Sequence, residues 1–349
     1  MRIAEIGEFA LIERLAQIAA VERDDLRAGI GDDVAVLDTG GNELLLATVD
    51  AQVEEIHFLA RLSTPEQLGR RALAINVSDI AAMGGQPRFA LVSLVLPGAI
   101  EVAWVEALYQ GLRAVADETG TAIVGGNLAR SPAGIVIDVT VLGSVQREHL
   151  LLRSGARPGD RVLVTGRLGD AAAGLHLALH EEPELDPGAR ATLLARYLTP
   201  TPRLAEAQVI ARSRLATAMI DLSDGLSSDI GHICARSGVG ARIDVARLPI
   251  ASATATVAAF KGMPAWQLAL SGGEDYELCF TAPAAAAGKL AALVERETGT
   301  PVADIGEILP QNQGRMLVFA DGATAPLDPQ GWNHFRPDDA AADHVEPKY

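Results

Sequence analysis

Lysine is almost missing from this 349-residue chain: Lys261, Lys289 and Lys348 are its only three. An anionic ligand must therefore be met by arginine, by backbone N–H groups or by metal ions. Cysteine is equally scarce. Cys234 and Cys279 stand in apolar settings without CxxC spacing, which favours buried free thiols over a metal or redox pair. No apolar stretch reaches the roughly 18–20 residues of a membrane span. The N-terminal "MRIAEIGEFALIERLAQ" mixes acids into its apolar pattern and has no small-residue cleavage site, so a cytoplasmic protein is expected. Positive charge is in deficit. A net charge of −16 argues against a nonspecific nucleic-acid binder, because a polyanion would be repelled.

Several catalytic signatures are absent too. The chain has no GxxxxGK[ST] loop, no kinase-type glycine loop with its lysine partner, no GxSxG, no HExxH, and no GxGxxG opening a helix. What remains is a chain that is 49% hydrophobic and long enough for two packed domains.

The order of elements predicts a mixed α/β fold. "GEFALIERLAQIA" places Phe9, Ile12, Leu15 and Ile18 at helical spacing. "DDVAVL" and "ELLLATVD" read as strands around Gly40-Gly41. "TPEQLGRRALAINVSDIAAMG" reads as a helix opened by Thr64-Pro65. A strand "FALVSLVLP", a helix over 101–118, and the strands "TAIVGGN" and "GIVIDVTVLGSV" complete an N-terminal domain over 1–148. A Pro-Gly-Asp turn restarts the pattern, giving a C-terminal domain over 149–336. "ATAMIDLSDG", "WQLALSGGEDYELCFTA" and "GRMLVFA" are its predicted strand segments. The tail 337–349 lacks periodicity and reads as disordered.

Chemistry is concentrated where apolar strands end in aspartate. Asp32 and Asp33 lie in "GIGDDVAVL", Asp50 closes "LLLATVD", and Asp221, Asp224 and Asp229 lie in "AMIDLSDGLSSDIGHI". Asp79 sits in a helical setting, "NVSDIAAMGG". Any one of these fits an N-cap or an Asp-Gly turn equally well. Clustered carboxylates repel, and a hard divalent cation such as Mg²⁺ relieves that cost. Leu226, Ile230 and Ile233 form the buried stripe of a helix starting near Gly225. Its N-terminus then presents N–H groups beside Ser223 and Asp224, which suits a phosphate. "LSGGEDYEL" allows close backbone approach at Gly272-Gly273, with Glu274 as an acceptor, or it forms a hairpin turn. "IVGGN" has the same build, ending in Asn127. The histidines other than His57 are scattered and read as surface or core.

These segments, in this order, resemble the thiamine-monophosphate kinase family, of the superfamily that includes aminoimidazole ribonucleotide synthetase. The likeness runs from "GEFALIERL" to "GWNHF" at 331–335. "SGGEDYEL" with "DLSDGL" separates this family from its relatives. The resemblance implies a two-domain fold whose N-terminal domain pairs into a dimeric β-barrel, followed by a C-terminal α/β domain. It implies ATP-dependent phosphorylation of thiamine monophosphate to thiamine diphosphate by direct transfer, with several Mg²⁺ ions, no phosphoenzyme and no general base. The implied metal ligands are Asp33, Thr48, Asp50, Asp79, Asp221 and Asp224. Tyr109, Gly126, Arg153 and Ser223 are the implied nucleotide contacts, and His57, Glu274 and Trp332 the substrate contacts.

Two departures stand out. Asn127 replaces the family's usual aspartate, so it would serve nucleotide and metal with an amide oxygen, a weaker ligand. Ala51, Gln52 and Glu55 also replace the usual small polar, apolar and glycine residues. Other readings are another ATP-using enzyme of the superfamily, a non-catalytic Mg-nucleotide-binding protein, and a two-metal phosphohydrolase.

Overall fold

The computed structural model describes residues 3–180 and 182–329, so the expectations for Trp332 and for the tail 337–349 lie outside the described residues. The first half runs α1 (Ile3–Ile18), β1 (Leu26–Ala28), β2 (Ala35–Leu37), β3 (Glu43–Val53) and α2 (Pro65–Ala82). It continues with β4 (Gln86–Pro97), α3 (Val102–Thr119), β5 (Ala122–Ser131) and β6 (Val136–Gln146). Its six strands form one sheet in the order β1-β2-β3-β6-β4-β5. The period-2 pattern of β6 sends Ile137, Val139, Val141 and Val145 into the core.

Helices α2 and α3 cover that face and pack closely on each other. A Cβ at Gly69 would lie 1.9 Å from the Leu108 carbonyl oxygen, and one at Gly111 1.9 Å from that of Glu66. Thr64 opens α2 with a capping box: its hydroxyl accepts from the Gln67 N–H while the Gln67 side chain accepts from the Thr64 N–H. Pro65 stands at the first turn, where no N–H is needed.

The second half runs β7 (Asp160–Thr165), α4 (Asp170–Leu179), α5 (Pro187–Leu198), α6 (Leu204–Ser213), β8 (Ala218–Asp221), α7 (Leu226–Ser237) and β9 (Val239–Asp244). Then come α8 (Ser252–Phe260), α9 (Ala265–Ser271), β10 (Leu278–Pro283), α10 (Ala284–Thr298), β11 (Val302–Pro310), β12 (Arg315–Val318) and β13 (Thr324–Pro326). Seven strands form its sheet, in the order β13-β12-β9-β11-β7-β10-β8. Leu226, Ile230 and Ile233 are buried, as the stripe on α7 predicts.

Three expectations need correction or completion. "WQLALS" is not a strand: it forms α9 after Pro264, and the strand begins only at Leu278. A short apolar run fits a buried helix or a strand equally well, and periodicity does not separate them. Helix α1 forms, with a break at Gly7 (φ 75°), yet among the described residues its stripe stays largely exposed, although Phe9 meets the His232 ring. Leu15 is 50% and Ile18 82% exposed. Finally, the first sheet is open within one chain, with β5 at its edge.

Candidate active site

A cavity of about 360 Å³ is lined from both halves of the chain, by Asp33, Asp50 and Asp79 from the first and Arg153, Asp224 and Glu274 from the second. Each acid arrives on a different element. Asp33 precedes β2, Asp50 lies in β3 two residues after Thr48, Asp79 rides on α2, and Asp221 ends β8. Asp79 sits inside its helix, so it is not a cap.

One carboxylate oxygen from each of Asp33, Asp79 and Asp221 lies within 4.8 Å of the others. Thr48 Oγ1 donates to Asp79 Oδ2 at 2.7 Å, and Ser78 Oγ donates to Asp221 Oδ2 at 2.6 Å. The Arg153 guanidinium donates to Asp33 Oδ1 through Nε (3.1 Å) and Nη2 (2.6 Å). Asp33 Oδ2 is buried without a partner. Burial is the main force on these groups: it pushes Asp33 up to about 6 and Asp221 to about 7. Burial, then Asp50 and Asp221, push Asp79 well above the usual carboxylate range. Such a pocket of unneutralised oxygens is chemically suited to a hard cation. Asp32 does different work. Its Oδ1 accepts from the N–H groups of Arg153 (3.2 Å) and Asp33 (3.3 Å), fastening the loop.

Ser223 and Asp224 line the cavity where α7 begins, and Gly225 (φ 103°) turns the chain into that helix. Burial, followed by the charge of Glu8, pushes Asp224 up to about 7. Glu8 itself belongs to the cavity wall.

His57 and Glu274 also line the cavity, and Arg71 donates to the His57 carbonyl and to the Glu274 carboxylate. His57 Nδ1 accepts from the Val53 N–H at 3.0 Å. Glu274 (φ 59°) and Tyr276 (φ 49°) both hold left-handed backbone, a strain that marks constrained sites. That segment is laced to the β8–α7 turn: the Glu274 N–H donates to the Ser223 carbonyl at 2.7 Å and the Tyr276 N–H to the Leu222 carbonyl at 2.9 Å. It follows a helix rather than turning a hairpin. A Cβ on Gly272 would lie 2.5 Å from the Leu268 carbonyl oxygen, so only glycine fits there.

Asp33, Thr48, Asp50, Asp79, Arg153, Ser223, Asp224, His57 and Glu274 all line the cavity, and Asp221 completes the acid cluster at its wall. Tyr109, Gly126 and Asn127 do not line it. Tyr109 packs against the first core, and Asn127 is exposed on edge strand β5. Asn127 is in register with Ser93, then Asp138, then Ala51. Three strand spacings put it about 14 Å from Ala51.

Sequence reasoning missed Arg71 and Tyr197. Arg71 is buried in α2 and pairs with Glu274; Tyr197 walls the cavity. A signal for Arg71 existed: it falls on the same helical face as Leu68, Ile75 and Ser78, where a charge needs a partner.

Comparison with known proteins agrees with this geometry. Residues 31–145 match the AIR synthase related protein, N-terminal domain, and residues 157–319 match its C-terminal domain. The thiamine-monophosphate kinase of Escherichia coli strain K12 is 38% identical over 329 residues, covering 94% of this chain and 98% of that protein. That of Aquifex aeolicus is 38% identical over 335 residues, covering 96% and 100%. A solved structure, AaThiL complexed with AMPPCP and TMP, superposes with a TM-score of 0.81 at 36% identity, covering 96% of this chain and 99% of that one. With both domain matches and these near-full-length relatives, the chain belongs to the AIR synthase related family and, within it, to the thiamine-monophosphate kinases.

Proposed function

We propose that this protein transfers the γ-phosphoryl group of ATP to the phosphate of thiamine monophosphate, giving thiamine diphosphate and ADP. One observation carries the reading: a single cavity is lined by members of a buried acid cluster together with His57 and Glu274. A phosphate oxygen of the substrate attacks the γ-phosphorus, and the bond to the β–γ bridging oxygen breaks. The acceptor is already largely dianionic at neutral pH, since its second pKa is near 6. No general base is needed for such an acceptor.

Positioning and charge neutralisation are the main requirements. The oxygen donors fit several Mg²⁺ ions, with Asp33, Thr48, Asp50, Asp79, Asp221 and Asp224 to hold them. Bound there, the ions would offset repulsion between the two anions. Arg153, freed from Asp33, would steady the nucleotide phosphates, and Ser223 with the first turn of α7 would offer donors to them. Glu274 can accept a hydrogen bond from a ligand N–H, and Tyr197 adds an aromatic wall. Trp332 remains part of the proposal as a stacking contact for the cationic ring.

A homodimer is part of the same reading. Edge strand β5 leaves one side unpaired, and Val49, Phe89, Leu91, Val124 and Leu128 are exposed at 41–72%. A second copy pairing along β5 would cover this surface and close the barrel. It would also bring Tyr109, Gly126 and Asn127 toward the cavity of its partner. We keep the division at 148/149 and a cytoplasmic location as expectations. No helix among the described residues is long and apolar enough to cross a membrane. The deciding test is a coupled assay for thiamine diphosphate from thiamine monophosphate and Mg-ATP. Phosphate release without an acceptor, or nucleotide binding without turnover, would count against the reading.

A further inference from the structure

The start of helix α7 gathers a second group of ligands, of which the phosphoryl-transfer reading uses Asp224 alone. Asp224, Asp229 and His232 each offer one ligating atom, and the three atoms lie within 4.8 Å of one another. The group shares no residue with the Asp33–Asp79–Asp221 cluster. Asp229 and His232 are three positions apart on the helix, so they present to one face.

Asp229 is the telling member. It is 1% exposed, and its Oδ2 has no hydrogen-bond partner among the described residues. A buried carboxylate oxygen without a hydrogen bond is costly to keep. His232 adds a nitrogen donor within 4.8 Å of both carboxylate ligand atoms. The Phe9 ring braces it edge-on, with centroids 5.1 Å apart at 62°.

We propose that Asp224, Asp229 and His232 form a second cation position, separate from the all-oxygen cluster, that takes a divalent transition-metal ion such as Mn²⁺. The resemblance gave Asp224 alone a metal role. The second carboxylate and the nitrogen donor are new, and they change the chemistry. Mg²⁺ holds hard oxygen ligands and its own water, whereas imidazole suits first-row transition ions. An ion here would supply the partner that Asp229 lacks and would sit at the end of α7 beside Ser223.

The test is Mn²⁺ binding to the metal-free, full-length protein, read by calorimetry and by electron spin echo envelope modulation. Bound Mn²⁺ should show nitrogen modulation in the wild type and in His57→Ala, and none in His232→Ala. Asp229→Asn guards against a folding artefact, because it is isosteric and removes an unpaired buried charge. Its metal-free Tm should equal or exceed that of the wild type, while its affinity for the nitrogen-coordinated Mn²⁺ falls by about tenfold or more. No nitrogen modulation in the wild type, or modulation unchanged in His232→Ala, would overturn the proposal. So would an Mn²⁺ affinity that Asp229→Asn leaves unaltered. Turnover is not measured, so a protein without kinase activity would still give a clear answer about this position.

Discussion

Arg71 on α2 donates through Nη2 to the Glu274 carboxylate, 203 residues further along the chain. The same guanidinium donates to the carbonyl oxygens of Tyr197 (2.9 Å) and His57 (3.3 Å) and lies 5.2 Å from the centre of the Tyr197 ring. One buried cation thus fixes three walls of the cavity. Its fork cannot be copied by an ammonium, which lacks the planar donors. Arg71→Lys should raise KM for thiamine monophosphate by about tenfold, near 1.4 kcal/mol, with KM for Mg-ATP changed by less than about twofold. Steady-state kinetics with each substrate varied in turn checks this. Equal changes in both constants would mean that Arg71 supports the fold generally.

Asp79 lies under the pressure of burial and of three neighbouring acids, Asp50, Asp221 and Asp33. Asp79→Asn should relieve that repulsion and raise the Tm of the metal-free protein, while cutting turnover by roughly 10²–10³-fold, the scale of several kcal/mol of lost charge stabilisation. Thermal melts and rates on the same preparation separate the two effects. Turnover within twofold of wild type would remove Asp79 from the metal cluster.

Asp275 gives a pH dependence of defined sign. Burial raises its pKa from 3.8 to about 8, against the N–H bonds it accepts from Gly169 (2.8 Å) and Ala171 (3.2 Å). Between those values the folded protein holds a proton that the unfolded chain has released. Stability therefore falls as pH rises through that window. Gly169 and Ala171 donate to different oxygens, so Asp275→Asn keeps an acceptor for one of them, lowers the Tm at every pH, and cannot ionise. Its Tm should decline less than that of the wild type between about pH 5 and pH 8. Parallel curves would show that Asp275 titrates elsewhere.

Much of this was legible in the sequence, and what was not has physical causes. Strand-end aspartates, the Thr64-Pro65 helix start and the α7 stripe are local patterns, and each lands where its spacing puts it. The Arg71–Glu274 pair was invisible because neither residue's neighbourhood names the other. "WQLALS" was misread because a short apolar run fits a helix or a strand equally well. The exposure of α1 and β5 concerns surfaces that one chain does not cover, and no local pattern says what covers them.

Asn127 gives the sharpest test of assembly. It is exposed on β5 and in register, through Ser93 and Asp138, with Ala51 about three strand spacings (~14 Å) away. If it serves a cavity at all, that cavity belongs to a partner copy. Asp50→Ala should abolish turnover, and so should Asn127→Lys, which sets a cation where the nucleotide's own ions would approach. Position 127 is exposed in one chain but lies on the strand proposed to pair, so sedimentation must first show that Asn127→Lys still dimerises. Mixed dimers carrying one change per subunit then separate the two arrangements. With Asn127 acting across the interface, one of the two sites holds both wild-type residues, and the mixed dimer should regain about half of wild-type activity. With Asn127 acting in its own chain, each site carries one lesion and the mixed dimer stays inactive. Differently tagged subunits, co-expressed and purified through both tags, allow the rate to be measured on mixed dimers alone.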